Sequence, residues 1–564
     1  MFLKLFFSAA GSLGAYALYQ IFKLVYREFN SPLKSLPGPK STHFFYGNLK
    51  DISNAENSVL HEQWVREYGS TLKYKGMGSY HASEIVFTSY KGFFGLTRLY
   101  TTDHKALNHF LTNSYIYQKP APARYNLSRI VGPGILVAEG DVHRQQRKIM
   151  NPAFGAPQVR ELTGIFIQKS IELRDIWAAQ TANSGGSSRV DALTWLSKAT
   201  LDIIGLAGKS TPYPPTESDS SFAGFNYNFN SLASEEQTEL GAAFATTFQA
   251  GQTINTFRLL QVWFPLFRIV RTNVDRVMEN SQAVMRRIGL QLLQESKNEM
   301  AESGTFEKGR ARDLLSLLVR ANTSKDLPAS QRLSDEDVLA QVPTFLVAGH
   351  ETTSTGTTWA LFALTQNLAA QTRLRNELLA IETDEPTMDQ LNALPYLDCV
   401  VRETLRIHSP VPASMRVATQ DDIVPLAQPF TDIHGNVHET LKVKKGQTIM
   451  VPILALNRDP AIWGPDSMEF VPERWESEIS NSIPGVWGHM LSFLGGPRAC
   501  IGYRFSLVEM KALLFTLVRA FEFELAVPAA DIGKKTSVVQ RPIIRSDPKA
   551  GNQMPLIIKP YIRS

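Results

Sequence analysis

Three kinds of hydrophobic run alternate along this chain. The first is continuous. Leu5 to Phe22 is apolar apart from Ser8, Ser12, Tyr16, Tyr19 and Gln20. Extended through Leu24-Val25-Tyr26, with Lys23 snorkelling, it is long enough to span a bilayer. The second kind has a helical period. It predicts a helix from Asp141 to the Asn151-Pro152 break and helices over 155–205, interrupted at Asn183-Ser184-Gly185-Gly186-Ser187-Ser188. It also predicts a long helix from Ser334 to about Gln366, another from Asp398 to His408, and one from Ile501 to Phe521. The third kind is short and β-like, as at Glu84-Ile85-Val86-Phe87-Thr88 and in the strands after Pro412. There His434-Gly435-Asn436 and Lys445-Gly446 read as turns, and the tail carries strand-like runs around Gly551-Asn552. The pattern gives a mainly α fold with small β-sheets.

Local punctuation refines the pattern. Leu36-Pro37-Gly38-Pro39 cannot be helical and reads as a stiff hinge. Residues 1–28 are then an N-terminal membrane anchor, 29–41 a proline-rich hinge and 42–564 the body. Lys119-Pro120-Ala121-Pro122-Ala123 reads as an irregular loop, and Gly132-Pro133-Gly134 breaks the chain again. Asp141 is a candidate N-cap for a helix that puts His143 and Arg147 on one face. Ser334 and Asp337 have capping-box spacing. Ser210 to Ser231 reads as a surface excursion. Phe257 to Arg268 is more apolar than a solvated loop. It either dips into the membrane interface beside the anchor or packs as ordinary core.

Composition sets the outer limits. A chain of 564 residues with a 43% hydrophobic fraction holds a large core. A net charge of +5 is too small for a nucleic-acid binder of this length, but suits an anionic membrane surface or an acidic protein partner. Two cysteines, Cys399 and Cys500, exclude a disulfide framework and point to a reducing compartment. Lys23, Arg27, Lys34 and Lys40 follow the apolar stretch, which puts the body in the cytosol. A cleaved secretory signal, with small residues from Ala9 to Ala15, is the other reading of that stretch; the cysteine count does not suit export.

The candidate chemistry gathers on Phe493-Leu494-Gly495-Gly496-Pro497-Arg498-Ala499-Cys500-Ile501-Gly502. Glycines and a proline precede the cysteine and a helix follows it. The helix N-terminus and Arg498 are expected to stabilise a thiolate at Cys500 that binds a metal. Ala348-Gly349-His350-Glu351-Thr352-Thr353-Ser354-Thr355 is an odd centre for a long helix. Glycine is costly there and the hydroxyls favour back-bonding, a conflict that often marks a functional site. A zinc-protease helix would need a second histidine at 354, where Ser354 stands. Glu403 and Arg406 can meet at i, i+3. Alone such a pair is a weak surface contact, but its apolar flanks favour burial.

Taken in order, these residues resemble the haem-thiolate monooxygenases, the cytochromes P-450, and in style their fungal microsomal members. The family's cysteine loop matches Phe493, Gly496, Arg498, Cys500 and Gly502. Its Glu-x-x-Arg matches Glu403 and Arg406, and Pro472-Glu473-Arg474-Trp475 resembles its Pro-Glu-Arg-Phe loop. Ala348 to Thr353 matches its oxygen-binding helix. The resemblance implies a P-450 fold behind a single N-terminal transmembrane helix. Haem b would be ligated by Cys500, with Phe493 beside the sulfur, and Gly496 and Gly502 would allow the turn and close approach to the porphyrin. Arg147, Arg416 and Arg498 would meet the propionates. His143 stands where the family usually has tryptophan and is a further candidate there. Glu403, Arg406 and Arg474 would form a buried charge triad.

Glu351 and Thr352 would be the acid–alcohol pair that relays protons, with Gly349 leaving room for oxygen; the bland alternative is that Thr352 only back-bonds its own helix. Cys399, mid-helix among apolar residues, is the rival thiol. Substrate would meet Phe345, Ala348, Val411, Ala413 and Ser414, the 121–131 segment and the region of Asn552. Arg124 and Arg129 interrupt this apolar set, unless they point to solvent. The implied activity is insertion of one oxygen atom from O2 into a hydrophobic small molecule, in fungal secondary metabolism such as terpenoid biosynthesis. Electrons would come from NADPH through a flavoprotein reductase at the endoplasmic reticulum membrane, with the body facing the cytosol. The alternatives are a haem-thiolate isomerase, dehydratase or peroxygenase of the same fold, or a haem sensor.

Overall fold

The protein is described by a computed structural model. The residues it describes are 26–43, 47–56, 58–76, 96–206, 229–234, 238–252, 265–302, 332–536 and 538–562, with isolated positions between them. Most of the apolar stretch from Leu5 to Phe22 lies outside these residues, as do Glu84–Thr88 and most of 210–231 and 257–264. Among the described residues no helix is long and apolar enough to cross a membrane.

Helices dominate, and one organises the rest. The central helix, Asp335–Gln366, starts at Ser334 with a reciprocal cap. Asp337 N–H donates to Ser334 Oγ at 3.1 Å, and Ser334 N–H donates to Asp337 Oδ2 at 3.0 Å. The helix passes through Pro343, a breaker the sequence pattern did not weigh. Helices Ala192–Leu206, Pro395–Ile407 and Tyr503–Ala520 pack against it. Its odd hydroxyls are buried between these partners. Thr353 Oγ1 and Ser506 Oγ share a hydrogen bond at 2.9 Å, Ser197 Oγ donates to Ser354 Oγ at 3.3 Å, and Thr358 Oγ1 back-bonds to Ser354 O at 2.7 Å. Thr353 and Ser354 thus serve as inter-helix contacts inside a core that includes Leu346, Trp359, Leu405 and Leu513.

A five-stranded sheet flanks the helices. Its spatial order is Thr71–Gly76, Leu96–Thr101, Thr448–Val451, Ser414–Ala418, Tyr117–Gln118. The second and third of these pair in parallel, the others antiparallel. Ser188–Asp191, Pro555–Pro560 and Phe521–Leu525 form a second sheet. Ile532–Thr536 and Gln540–Ile544 form a C-terminal hairpin. Asp422–Thr431 and Val437–Val443 pair across the turn at Gly435, whose φ is 87°.

Three local expectations change. The 119–123 segment is not irregular beyond its start: Ala121–Val131 is a helix, with Pro122 in its first turn, where a missing N–H costs nothing. The helix Gly140–Met150 takes Glu139, not Asp141, at its N-cap position. The proline-rich hinge is packed down. Leu33 and Leu36 are fully buried beside the five-stranded sheet, worth about 2 kcal/mol each, and Lys73 N–H donates to Pro37 O at 2.9 Å.

Candidate active site

The cysteine loop is fixed by backbone that admits no side chains at two positions. A Cβ on Gly495 would lie 1.7 Å from Pro484 O. Gly496 has φ +69°, and a Cβ there would lie 2.4 Å from Leu111 O. Leu494, with φ 56°, takes the left-handed conformation without being glycine. A 3-10 turn over Gly496–Arg498 follows, and Cys500 N–H closes the loop onto Phe493 O at 2.8 Å. The Phe493 ring leans on Trp487 and Tyr503, at centroid distances of 5.7 and 6.1 Å. The helix Tyr503–Ala520 starts directly after Gly502. A Cβ on Gly502 would make only ordinary contact with Phe154, at 3.7 Å.

The sulfur's surroundings differ from the sequence expectation. Burial pushes the Cys500 thiol up, while a hydrogen bond from Gly502 N–H and the charge of Arg147 oppose it without cancelling it. Arg498 is turned elsewhere, toward Ala138 O (3.0 Å) and the Glu139 carboxylate. The cation that acts on the sulfur is Arg147, whose Nη1 donates to Ala499 O at 2.5 Å. Cys500 keeps accessible surface, whereas Cys399 has none to spare. A bound metal ion deprotonates such a thiol outright.

Cations converge in front of this loop. Arg416 is 1% exposed and donates to Ser414 Oγ (2.8 Å) and Met415 O (2.7 Å); burial and Arg498 push it down to about 10. Lys119 is pushed down to about 7 by burial, Arg416 and Arg498. Arg124 adds its charge to Lys119 and Arg498. His143 is buried, and burial with Arg498, Lys119 and Arg147 holds it neutral, at about 3. Glu139 is the one carboxylate hydrogen-bonded among these cations in the described residues: it accepts from the Arg498 guanidinium and, at 3.1 Å, from the backbone N–H of Lys119. The Arg498 Nε stays buried without a partner. A group bringing two carboxylates fits this imbalance, and haem is such a group. Sequence reasoning missed Lys119 and Glu139. The signal was a lysine beside the 120–123 segment and an acid just before the helix of His143.

Behind the loop the charges are closed. Glu403 and Arg406 are both fully buried and pair at 2.8 Å through two N–H donors. Arg406 spends its other donors on Asn457 O, Ser467 O and Glu469 O. Glu403 also accepts from Val471 N–H (3.0 Å) and Trp475 Nε1 (2.9 Å). Arg474 comes within 3.5 Å of Glu403, but its hydrogen bonds go to Trp463 O and Asp466. Trp475 is therefore the hydrogen-bonding member that the triad reading omitted.

The central helix carries the remaining candidates for chemistry. Ala348 is exposed in the middle of an otherwise buried stretch. A Cβ on Gly349 would strike Ile204 at 2.9 Å, so the missing side chain serves helix packing. Glu351 and Thr352 are not hydrogen-bonded to each other. Thr352 Oγ1 donates to Ala348 O at 2.7 Å, and Glu351 pairs with Arg541 of the C-terminal hairpin. His350 Nδ1 lies 2.6 Å from Leu346 O and its Nε2 lies 3.4 Å from Glu351. Burial would raise the Glu351 carboxyl, but Arg541 and His350 bring it down to about 2.

The remaining candidates are scattered. Phe345 is buried under Phe154, with rings stacked at 5.4 Å. Val411, Ala413 and Ser414 are half-buried, and the Ser414 hydroxyl is taken by Arg416. Asn552 bridges to Ile543 in the C-terminal hairpin. Arg129 does not point to solvent; it pairs with Asp275, both largely buried. Cys399 is buried on Pro395–Ile407, and burial pushes its thiol up to about 11, which leaves it inert.

Comparison with known proteins agrees with this arrangement. Residues 37–543 match the family model described as Cytochrome P450. Cytochrome P450 monooxygenase 205 of Postia placenta is 51% identical, over 97% of this chain and 96% of its own length. Cytochrome P450 monooxygenase 128 of the same fungus is 48% identical, over 99% and 98%. Cytochrome P450 monooxygenase claW of Ampulloclitocybe clavipes is 31% identical, over 94% and 93%.

Proposed function

The chain belongs to the cytochrome P450 family and is a monooxygenase of it; from that premise we propose that it oxidises a hydrophobic small molecule in fungal secondary metabolism, with terpenoids as the first class to test. The observation that carries the reading is the single accessible thiol, Cys500, on a tight glycine loop whose Arg498 belongs to a buried cationic cluster with Lys119 and Arg416. Bound haem b supplies the activation of dioxygen. Cys500 would hold its iron, and Arg147, Arg416 and Arg498, joined by Lys119, would hold its propionates, with neutral His143 as a hydrogen-bonding neighbour. One oxygen atom enters a C–H bond and the other leaves as water. Two electrons come from NADPH through a flavoprotein reductase, and two protons enter by way of Glu351 and Thr352. Half-buried Val411 and Ala413, both apolar, favour an apolar substrate.

The N-terminal 28 residues would anchor the body to the endoplasmic reticulum membrane through one span, with the body in the cytosol. The reading rests on the apolar stretch from Leu5 and the lysines and arginine after it. Residues 29–41 would then connect anchor to body.

A second reading has its own support. Thr352 is back-bonded and Glu351 is held by Arg541, a geometry that an isomerase, dehydratase or peroxygenase of this fold would tolerate. Turnover of an apolar compound panel with a reductase under isotopically labelled dioxygen separates the two. The monooxygenase reading expects one labelled atom in the product. Product without label, or product formed only with added peroxide, would overturn it.

A further inference from the structure

Two arginines stand in the helix Ala121–Val131, and only one of them has a partner. Arg129 pairs with Asp275. Arg124 has none: its Nε is buried without a hydrogen bond, and no carboxylate among the described residues pairs with it. We propose that Arg124 is a specificity-determining residue that takes a carboxylate on an otherwise apolar substrate. The inference rests on the monooxygenase reading and narrows its substrate to an apolar monocarboxylic acid.

The helix is held so that Arg124 faces inward. It is fixed to the helix Asn273–Glu302 by the Arg129–Asp275 pair and by Gln282 Nε2, which donates to Arg129 O at 2.8 Å. It is fixed to the central helix by Thr344 Oγ1, which donates to Val131 O at 2.8 Å. The Arg268 guanidinium covers the Tyr125 ring at 3.8 Å. Arg124, Leu127 and Val131 share one helix face by their spacing. Leu127 packs on the main core and Val131 is fully buried, so that face is turned to the protein interior. Arg124 itself is half-buried. A guanidinium there costs free energy unless a counter-charge reaches it.

The balance of charge separates Arg124 from the haem cradle. Arg147 is committed to Ala499 O and to the sulfur. Arg124, Arg416 and Arg498 all act on Lys119. Propionates beside Lys119 would return it to its charged form. These four cations then face Glu139 and the two propionates, which leaves one positive charge over. Glu139 is already taken by Arg498 and the Lys119 N–H, and Arg124 is the cation without a partner in the chain. A single guanidinium left over matches a monoanion, and a carboxylate accepts two parallel N–H bonds from it. An ester of the same skeleton leaves the charge unmatched.

The test uses the full-length, haem-loaded protein and its Arg124→Gln and Arg124→Lys variants. Dodecanoic acid, farnesoic acid and adamantane-1-carboxylic acid are each titrated beside the methyl ester. Affinity is read by equilibrium dialysis and by the haem absorption change on binding. At least one acid is expected to bind the wild type about tenfold more tightly than its ester, the effect of one charge-assisted contact. R124Q should lose that preference by weakening the acid alone, and R124K should keep part of it. A wild type that binds none of the acids more tightly than its ester overturns the proposal. So does an R124Q protein that weakens acid and ester equally, or a chain that folds only with a cation at 124, because either marks a structural role. An acid preference that survives in R124Q overturns it too, and faster haem release in that variant would assign Arg124 to a propionate instead. The dialysis readout needs no turnover. The monooxygenase reading fails separately, when no product carries labelled oxygen although the acid preference stands.

Discussion

Behind the cysteine loop, Glu403 and Arg406 lie fully buried and the chain supplies every partner their donors and acceptors need. In front of it, Lys119, Arg416 and Arg498 lie buried or half-buried, with Glu139 as the one carboxylate hydrogen-bonded among them in the described residues. Both clusters desolvate charge, which is costly unless geometry and partners repay it. The rear cluster repays the cost within the chain and so belongs to folding. The front cluster does not, and its arginines, Arg416 among them, are pulled below their usual range by burial. Its remaining partners are the propionates it would hold. The same residue types therefore do different work, and their satisfaction, rather than their burial, tells them apart.

The largest expected effect breaks the closed cluster. Glu403→Gln keeps the shape and leaves Arg406 charged and buried without its counterion. The loss should be on the order of 3–5 kcal/mol, read as a lowered denaturant midpoint and poor soluble yield. Arg474→Ala should cost far less, about 1 kcal/mol, because Arg474 touches Glu403 only at the edge. A Glu403→Gln protein as stable as wild type would mean that the rear cluster is not closed by charge. Next comes Arg416→Leu, where the two clusters should part. The haem-free chain should hold or gain stability, while haem transfer to an acceptor protein should speed up by about tenfold, one lost charge-assisted contact. Equal damage to the haem-free chain would make the front cluster structural as well.

A smaller effect is the pH dependence of the haem-free chain. Lys119 falls from its ordinary value to about 7 in the folded state. Between pH 7 and about 10.4 the unfolded chain then holds the extra proton, so stability rises with pH across that window and levels off above it. Lys534, also pushed to about 7 by burial, tilts the curve the same way, so the Lys119→Met difference isolates the front cluster. Bound propionates should flatten the Lys119 share. A slope identical in wild type and Lys119→Met would remove Lys119 from the cluster. The smallest effect is Cys399→Ala, which should cost about 1 kcal/mol and leave haem binding unchanged, since that thiol only fills core.

The two clusters were not equally readable from the sequence. Glu403 and Arg406 sit one helical turn apart with apolar flanks, so spacing alone brought them together. Cys500 was readable because glycines and a proline pack tightly around it. Lys119 and Glu139 were not, because their partners come from elements far away in the chain: Arg498 is more than three hundred residues from Glu139. The helix at Ala121 is hidden by its prolines, which break a helix interior but are tolerated in the first turn. The packing of Gly349 on Ile204 joins two helices far apart in the chain and leaves no local signal. The pairing of Glu351 with Arg541 had no local signal, since one partner is mid-helix and the other lies in a C-terminal strand.

The role of the front cluster depends on which sulfur holds the iron. The most direct measurement is the reduced, carbon-monoxide-bound difference spectrum of the full-length protein beside its Cys500→Ser and Cys399→Ser variants. The red-shifted thiolate band is expected in wild type and Cys399→Ser and is expected to vanish in Cys500→Ser. A thiolate band that survives in Cys500→Ser, or that is lost in Cys399→Ser, would contradict the assignment and with it the reading of the front cluster as a haem cradle.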